Sequence, residues 1–331
     1  MRVSHILSLG KVILMAKARI LRKIWDNRYF KNILDVILVF SLPLILFLSL
    51  RLALGVEHPL LVVSSGSMMP TLNIGDLLVV QGISPTQINI GDIVVFRNPR
   101  KPADPPIVHR VVDIKVDDQG NYMIATLGDA TSGSFDQFSP WNASLYLIGK
   151  VIMKVPYIGH LYLFLYGAGN GVSKILFILI TIIVILLILT LFTGEEDERK
   201  STSEARNRRK RHVYLVYIVA VNALIVGMIF FSLWAYVEIW QPGAVPPQQV
   251  KILGMYEELK LNAAKYGDKN VFLEMGFMTY RINCRLNNNI RLGAASFSWS
   301  QLLFLFLMVF NVNEVVLPIL KKRIALKFRE S

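Results

Sequence analysis

Residues 60–81 read LLVVSSGSMMPTLNIGDLLVVQ and contain two β-type runs separated by a polar turn. The runs, Leu60 to Val63 and Leu77 to Gln81, are rich in Leu and Val, and turn-forming residues lie between them, a pattern that favours strands. Gly66 permits a sharp backbone turn and Pro70 fixes its exit. The pattern therefore predicts that Ser67 is held exposed at the end of a strand.

Similar short apolar runs continue on the C-terminal side of this turn and are separated by Gly, Pro, Asn and Asp. They are Ile93 to Arg97, Ile107 to Ile114, Tyr122 to Leu127 and Tyr146 to Met153. Roughly six strands within residues 51–171 predict a compact, mostly antiparallel β domain.

The segments that flank this domain are far more apolar. Of the 331 residues, 53% are hydrophobic and 18% charged, and the mean hydropathy is +0.47. A membrane span needs ~20 apolar residues to cross ~30 Å of hydrocarbon. Windows without Asp, Glu, Lys or Arg approach or exceed that length and predict four transmembrane helices, at residues 33–50, 174–192, 213–237 and 296–312.

The net charge of +13 could indicate a nucleic-acid partner, but the positions of the basic residues indicate a membrane protein instead. Basic clusters lie in a leader at residues 1–32, a charged linker at 194–212 and a tail at 313–331. The positive-inside rule places these three segments in the cytoplasm. Residues 51–171 and a second loop at 238–295, which has no strong motif and an unknown role, are then external.

A serine needs a base to become nucleophilic, because its hydroxyl is barely ionised at neutral pH. His109 lies in a predicted strand whose alternation places it on the opposite face from Arg110. The loop after the next strand carries Asp129 and Asp136, and one of these carboxylates could orient a catalytic histidine. Each element also has a structural alternative: a polar turn, a half-buried histidine and a solvated loop. The single Cys284 excludes an internal disulfide framework and a cysteine-cluster metal site.

Taken in order, these segments resemble the archaeal and endoplasmic-reticulum branch of the type I signal peptidases. The resemblance is carried by Ser65 to Thr71, Gly75 to Val80, Gly91 to Val112, Gly128 to Asp136 and Ile148 to Gly159. His109 stands where the main bacterial branch has a lysine, so the chain resembles the Ser/His form.

This resemblance implies a signal peptidase I-like β domain and a serine endopeptidase that cleaves signal peptides from preproteins without a metal or cofactor. It implies Ser67 as nucleophile, His109 as general base, and an oxyanion site made by the Ser67 backbone N–H and the Ser65 hydroxyl. It also implies small residues at the first and third positions before the cut. The carboxylate partner is Asp136 or Asp129, because the spacing of the two differs by one residue from the family pattern.

The expected partners are secretory preproteins, the lipid bilayer and the translocation machinery. The expected location is the cell membrane, with the catalytic domain on the external face, or the endoplasmic-reticulum membrane with a lumenal domain in a eukaryote. Two alternative functions are a non-catalytic membrane receptor or scaffold with a β binding domain, and a related self-processing serine protease.

The resemblance does not cover the chain after residue 172. That half could be a module that docks beside the protease or gathers substrate, or a pair of simple anchors. Because every candidate catalytic residue lies between Ser65 and Asp136, a chain ending near Gly194 is expected to retain cleavage.

Overall fold

The computed structural model describes residues 28–167, 203–286 and 289–330. The chain divides into two compact units, Met1–Glu57 and His58–Ser331. In the first unit, helix α1 spans Arg28–Leu54 and exposes large apolar side chains such as Leu42, Leu46 and Leu52. The span predicted at residues 33–50 therefore lies within a helix.

The second unit begins with the β domain, which we define as residues 58–167. Its strands are β1 (Leu60–Val62), β2 (Leu77–Gln81), β3 (Ile93–Phe96), β4 (Ile107–Val116), β5 (Tyr122–Leu127), β6 (Trp141–Asn142) and β7 (Leu147–Val155). A short helix, α2 (Ala143–Tyr146), precedes β7, and helix α3 (Ile158–Gly167) follows it. All six predicted strands are present, and their pairing with one another is antiparallel. The mostly antiparallel β domain is confirmed.

Strand β3 lies at the centre of this domain, and all four of its residues are buried. Successive side chains of a strand point to opposite faces, so Ile93 and Val95 join one apolar core while Val94 and Phe96 join another. The first core contains Met68 and Leu72, which follow Ser67 in the turn between β1 and β2 (the nucleophile turn), and the second contains Trp141. Both faces of the sheet are therefore packed beside the predicted site.

The second half of the chain contains further strands between apolar helices. Its elements are α4 (Ser203–Trp234), β8 (Tyr236–Gln241), β9 (Gln248–Leu253), α5 (Met255–Tyr266), β10 (Val271–Gly276), β11 (Thr279–Leu286), β12 (Asn289–Arg291), β13 (Ser296–Phe297), α6 (Trp299–Asn311), a π-helical turn (Val312–Val316) and α7 (Leu317–Glu330). Residues 238–295, expected to be a loop, thus contain five strands or parts of strands and a helix. We call residues 236–297 the C-terminal module.

The C-terminal module shares a sheet with the β domain. The strand order is β10-β11-β13-β7-β3-β4-β5-β6, with β2 also paired to β7, β1 to β2 and β12 to β11. Strand β13 runs parallel to β7, with Ser296 opposite Lys154, and the Lys154 N–H donates to the Ala295 carbonyl at 2.7 Å. Strands β8 and β9 form a separate hairpin. This placement favours a docked module over a pair of simple anchors.

A buried ionic cluster lies where the two parts meet. The Lys154 side chain is 1% exposed, lies 3.4 Å from Asp76 and forms an ion pair with Glu258 of α5. Its ammonium also donates to the Thr71 carbonyl at 3.0 Å, while the Tyr280 hydroxyl donates to Glu258 at 3.0 Å. Burial alone would lower the pKa of Lys154, but the two carboxylates outweigh burial and hold it above its usual value.

Two helical stretches among the described residues are long and apolar enough to cross a membrane. The most apolar 18-residue window has a mean hydropathy of 2.4 within Arg211–Trp234 and of 2.1 within Trp299–Ile324. They overlap the spans predicted at 213–237 and 296–312. The first ends earlier because β8 begins at Tyr236, and the second extends through the π-helical turn. The span predicted at 174–192 lies outside the described residues, so the count of four is not confirmed.

Helices α4 and α6 contact each other through polar as well as aromatic side chains. The amides of Asn222 and Asn311 exchange two hydrogen bonds, of 2.6 and 3.2 Å. The rings of Tyr217 and Phe310 meet edge to face at 5.9 Å. Hydrogen bonds between polar side chains are one of the interactions that hold neighbouring helices together in a medium without water.

Candidate active site

Ser67 lies in a tight turn between β1 and β2. The Met69 N–H donates to the Gly66 carbonyl at 3.1 Å, and the Leu72 N–H donates to the Met68 carbonyl at 2.9 Å. Met68 and Leu72 are buried, at 2% and 0% exposure, and anchor the turn in the core. Ser67 itself is only partly buried. The apolar neighbours therefore fix the turn while the hydroxyl stays accessible.

His109 approaches this hydroxyl from strand β4, whose register places it opposite Val94 of β3. The distance from His109 Nε2 to Ser67 Oγ is 3.2 Å, and that from Nδ1 to an oxygen of Asp136 is 2.6 Å. The ring is 10% exposed and lies edge to face with the Phe96 ring, with centroids 6.5 Å apart. With Nδ1–H donating to the carboxylate, the lone pair on Nε2 faces the serine hydroxyl.

Asp136 is held in place by strand β5. Its backbone N–H donates to the Thr126 carbonyl at 2.8 Å, and the Thr126 hydroxyl donates to its carboxylate at 2.7 Å. The Trp141 indole N–H in turn donates to the Thr126 hydroxyl oxygen at 3.2 Å. This chain of donors orients the carboxylate that holds the His109 ring.

Asp129, the other aspartate in the loop, faces a different set of groups. Arg110 binds its carboxylate with two donors, at 3.0 and 2.9 Å, and Arg291 and the Thr71 hydroxyl bind it as well. Burial alone would raise the pKa of Asp129, but the hydrogen bonds and charge of Arg110, with the charge of Arg291, lower it below its usual value. The structure therefore brings Asp136, and not Asp129, to His109.

Strand geometry explains why the two aspartates contact different residues. His109 and Arg110 are adjacent in β4 and point to opposite faces. The histidine contacts Asp136 on one face, and the arginine contacts Asp129 on the other. The sequence predicted this alternation for His109 and Arg110, but both aspartates lie in one loop, where no periodicity assigns a face.

Gly128 lies where the carboxylate loop crosses the nucleophile turn. A Cβ at this position would lie 2.7 Å from the Ser67 carbonyl oxygen and 3.0 Å from His109 Nε2. The Ala130 N–H donates to the same Ser67 carbonyl at 2.8 Å. The loop can approach this closely only because residue 128 has no side chain.

Ser65, the predicted oxyanion donor, precedes Ser67 by two residues and is partly buried. Its role stays a prediction.

Four charged residues near the site were not singled out from the sequence: Lys154, Glu258, Lys265 and Arg291. The burial of Lys154 does not follow from simple alternation, because β7 contains a bulge. An extra residue at Ile152 shifts the pairing with β2 and reverses the alternation. Simple alternation from the partly exposed Lys150 and Ile152 would have turned Lys154 to solvent. The other three come from the C-terminal module, whose strands were not predicted. The alternation of Tyr280, Ile282 and Cys284 with polar residues in β11 is the signal that could have revealed that strand.

Comparisons with known proteins all identify signal peptidases as similar to this chain. The family model described as signal peptidase, peptidase S26, matches residues 33–117, which include Ser67 and His109. The chain is 32% identical over 143 residues to the signal peptidase complex catalytic subunit SEC11C of Canis lupus familiaris, and 31% identical to that of Homo sapiens. Each match covers 42% of this chain and 73% of the relative. The catalytic subunit SEC11 of Plasmodium falciparum is 32% identical, with 77% of its length covered.

Proposed function

Because the chain belongs to the signal peptidase family, peptidase S26, we propose that it removes signal peptides from translocated preproteins as a membrane-bound serine endopeptidase. The observation that carries the catalytic assignment is the line of contacts from Ser67 through His109 to Asp136. These are the residue types, distances and order of a nucleophile, its base and the group that orients the base.

In the proposed mechanism, Ser67 Oγ attacks the scissile carbonyl while His109 Nε2 takes its proton. The Asp136 carboxylate stabilises the resulting imidazolium and keeps the ring in the required tautomer. The oxyanion of the tetrahedral intermediate accepts hydrogen bonds from the Ser67 backbone N–H and the Ser65 hydroxyl. His109 then protonates the leaving amine, and water hydrolyses the acyl-enzyme with His109 again as base.

The membrane topology is part of the proposal. Helix α1 and the stretches Arg211–Trp234 and Trp299–Ile324 provide three of the four spans, and the fourth is the span that the sequence predicts at residues 174–192, outside the described residues. Both chain ends then lie in the cytoplasm, with the β domain and the C-terminal module outside. A signal peptide held in the bilayer would present its cleavage site at the same external surface.

The relatives are named as catalytic subunits of a signal peptidase complex. We extend this to partners of the present chain: secretory preproteins as substrates, the surrounding lipid, and assembly with other subunits or with the translocation machinery. The membrane it occupies is then the one across which preproteins are translocated, the endoplasmic-reticulum membrane in a eukaryote or the cell membrane otherwise.

The test is cleavage of a model preprotein, with small residues at the first and third positions before the cut, by the purified full-length chain in detergent. The wild type is expected to release the mature part, and Ser67→Ala to lose cleavage by ~10⁴-fold or more. Ser134→Ala is the matched control, because Ser134 is an exposed serine of the nearby loop. A wild type that cuts only itself would support the self-processing protease, and a folded wild type that cuts nothing would support the binding module.

A further inference from the structure

A cleft of about 630 Å³ lies between the β domain and the C-terminal module. One wall is formed by β-domain residues that include Gly128 and Thr131, and the opposite wall by Lys265, Tyr266 and Arg291 of the C-terminal module. The family model ends at residue 117, before both the Gly128 loop and the module. The cleft is thus built largely from parts of this chain that lie beyond that match.

The cleft begins beside the reacting groups. Gly128 lines it, and a Cβ at this residue would be 3.0 Å from His109 Nε2. Lys265 donates to the carbonyl of Asp129, the residue after Gly128, and to that of Met69 at 3.5 Å, two residues after Ser67. A polypeptide bound at Ser67 advances about 3.4 Å per residue when extended, so residues close to its scissile bond can reach the cleft.

The described residues that line the cleft carry an excess of positive charge. Arg110, Lys265 and Arg291 contribute three cations, and Asp129 contributes the one carboxylate. Arg110 already makes four hydrogen bonds, two to Asp129 and one each to the carbonyls of Gly91 and Leu292. The excess therefore resides in Lys265 and Arg291. Cations gathered in a concave, partly desolvated site attract an anionic ligand.

Arg291 and Lys265 keep unused donors for such a ligand, because the Lys265 ammonium has three N–H groups and contacts two carbonyls. The Arg291 guanidinium uses one nitrogen on Asp129, lies 5.1 Å from the centre of the Tyr266 ring, and its side chain is 22% exposed. A guanidinium has five N–H donors, so several can face a carboxylate. Burial lowers the pKa of Lys265, and the nearby Arg291 adds to this effect, although Asp129 opposes it. The negative charge of a bound anion would raise the pKa of Lys265 again and so offset the effects of burial and of Arg291.

Tyr266 supplies an independent sign of a ligand. It lines the cleft, and its hydroxyl is buried without a hydrogen-bond partner among the described residues. Buried hydroxyls are normally hydrogen-bonded. A carboxylate bound between Lys265 and Arg291 would lie beside this ring, and a rotation of the side chain towards the cleft would let the hydroxyl donate to it.

We propose that this cleft is a substrate subsite that binds an aspartate or glutamate side chain of the polypeptide near its scissile bond, through Arg291 and Lys265. The inference rests on the proposed function and adds a charge preference to it. Arginine and carboxylate match in a bidentate geometry that a neutral amide cannot reproduce.

The experiment compares pairs of model preproteins that differ only by Glu or Gln at one position. This position is moved stepwise along several residues on each side of the cut, and the first and third positions before the cut keep their small residues. The measured quantity is the Glu/Gln ratio of kcat/KM for the full-length chain in detergent. We expect a ratio of about ten at one position or at neighbouring positions, since a hydrogen bond to a charged group contributes roughly 1.5–3 kcal/mol. The ratio should fall towards one as salt is raised.

Substitutions in the cleft should reduce this ratio. Arg291→Gln and Lys265→Gln are expected to bring it close to one, and Arg291→Lys to leave an intermediate value. Arg281→Gln is the matched control, because it removes an exposed cation of the same module that does not line the cleft. A merely structural role for Arg291 would lower the cleavage of both substrates and leave their ratio unchanged, and that result would overturn the proposal.

The remaining outcomes separate this inference from the proposed function. A wild type that cuts Glu and Gln substrates equally at every position contradicts the subsite alone. A wild type that cuts no preprotein contradicts both proposals. A further arm compares vesicles with and without anionic lipid. If Arg291→Gln abolishes a lipid dependence while the wild-type Glu/Gln ratio is one, the cleft binds a lipid headgroup and the proposal is wrong.

Discussion

Lys154 of β7 and Glu258 of α5 form an ion pair across 104 residues of sequence, and both side chains are almost completely buried, at 1% and 5% exposure. Lys154 also donates to the carbonyl of Thr71, whose hydroxyl binds Asp129. One lysine thus connects the C-terminal module with the segment that follows the nucleophile. We therefore expect the stability of the β domain and the geometry of its site to depend on residues from the second half.

Glu258→Gln is expected to destabilise the folded chain by ~3 kcal/mol. Breaking a buried pair leaves an uncompensated charge, which costs about 3–5 kcal/mol, and Asp76 keeps the effect at the lower end. The measurement is the free energy of unfolding from denaturant titration in detergent. Glu257→Gln is the matched control, because Glu257 pairs at the surface with Lys260, and such a pair contributes at most ~1 kcal/mol. Equal stability of the two variants would show that the buried pair contributes little.

The sequence predicted the parts of this arrangement that depend on local patterns and missed those that depend on long-range contacts. The strands of the β domain are short apolar runs between turn residues, so local periodicity predicted them. The facing of His109 and Arg110 followed from alternation within one strand. Neither the pairing of Lys154 with Glu258 nor the position of Arg291 could be predicted in this way, because each depends on a bulge or on contacts far apart in the chain.

Gly128→Ala is expected to lower kcat at least ~100-fold while the chain still folds. The added Cβ would lie 2.7 Å from the Ser67 carbonyl oxygen and 3.0 Å from His109 Nε2, so the turn and the ring must separate. A displacement of ~1 Å in reacting groups can cost about a hundredfold in rate. The measurement is single-turnover cleavage per folded molecule. Gly227→Ala is the control, since a Cβ there meets nothing within 4 Å. Wild-type turnover in Gly128→Ala would contradict the close crossing of the two loops.

Asp136→Asn is expected to lose turnover, and Asp129→Asn is expected to lose stability. Asp136→Asn is expected to reduce kcat by ~10⁴-fold with little change in stability, because an amide favours the wrong tautomer of His109. Asp129→Asn leaves the buried side chain of Arg110 without its carboxylate and should lower stability first. Turnover and unfolding are measured on the same preparations. An inactive but stable Asp129→Asn, with an active Asp136→Asn, would reverse the assignment of the two aspartates.

The low pKa of Asp129 predicts an acid dependence of stability. Its carboxyl stays ionised in the folded chain below the usual value of 3.8, because Arg110 and Arg291 outweigh the effect of burial. The ionised group therefore contributes stability above pH 3.8, and this contribution is lost as the pH falls through the lower, folded-state pKa.

Unfolding free energies measured from about pH 5 to pH 2 should fall more steeply in the wild type than in Asp129→Asn. Asp104→Asn, which removes an exposed carboxylate, serves as the control and should follow the wild type. Parallel curves for wild type and Asp129→Asn would show that the Arg110 and Arg291 contacts do not lower this pKa in solution.

The last prediction concerns a chain ending near Gly194. The position of the catalytic residues in the sequence predicts that it retains cleavage, but the contacts of the C-terminal module predict the opposite. Truncation removes the β13 neighbour of β7 and the Glu258 partner of Lys154. It also removes Arg291 from Asp129 and Lys265 from the carbonyls of Met69 and Asp129.

We therefore expect the truncated chain to lose most of its folded population and at least ~100-fold of its turnover per folded molecule, since the nucleophile turn loses contacts that fix its position. Supplying residues 195–331 as a separate chain should restore turnover, because the lost contacts are non-covalent. Lys154→Met in the truncated chain is a second check: it removes a lysine that has lost its Glu258 partner and keeps only Asp76, and it should recover part of the folded population but not the full rate. If the truncated chain without these additions turns over like the full-length protein, the C-terminal module does not position the site and its contacts with the β domain serve only to dock it.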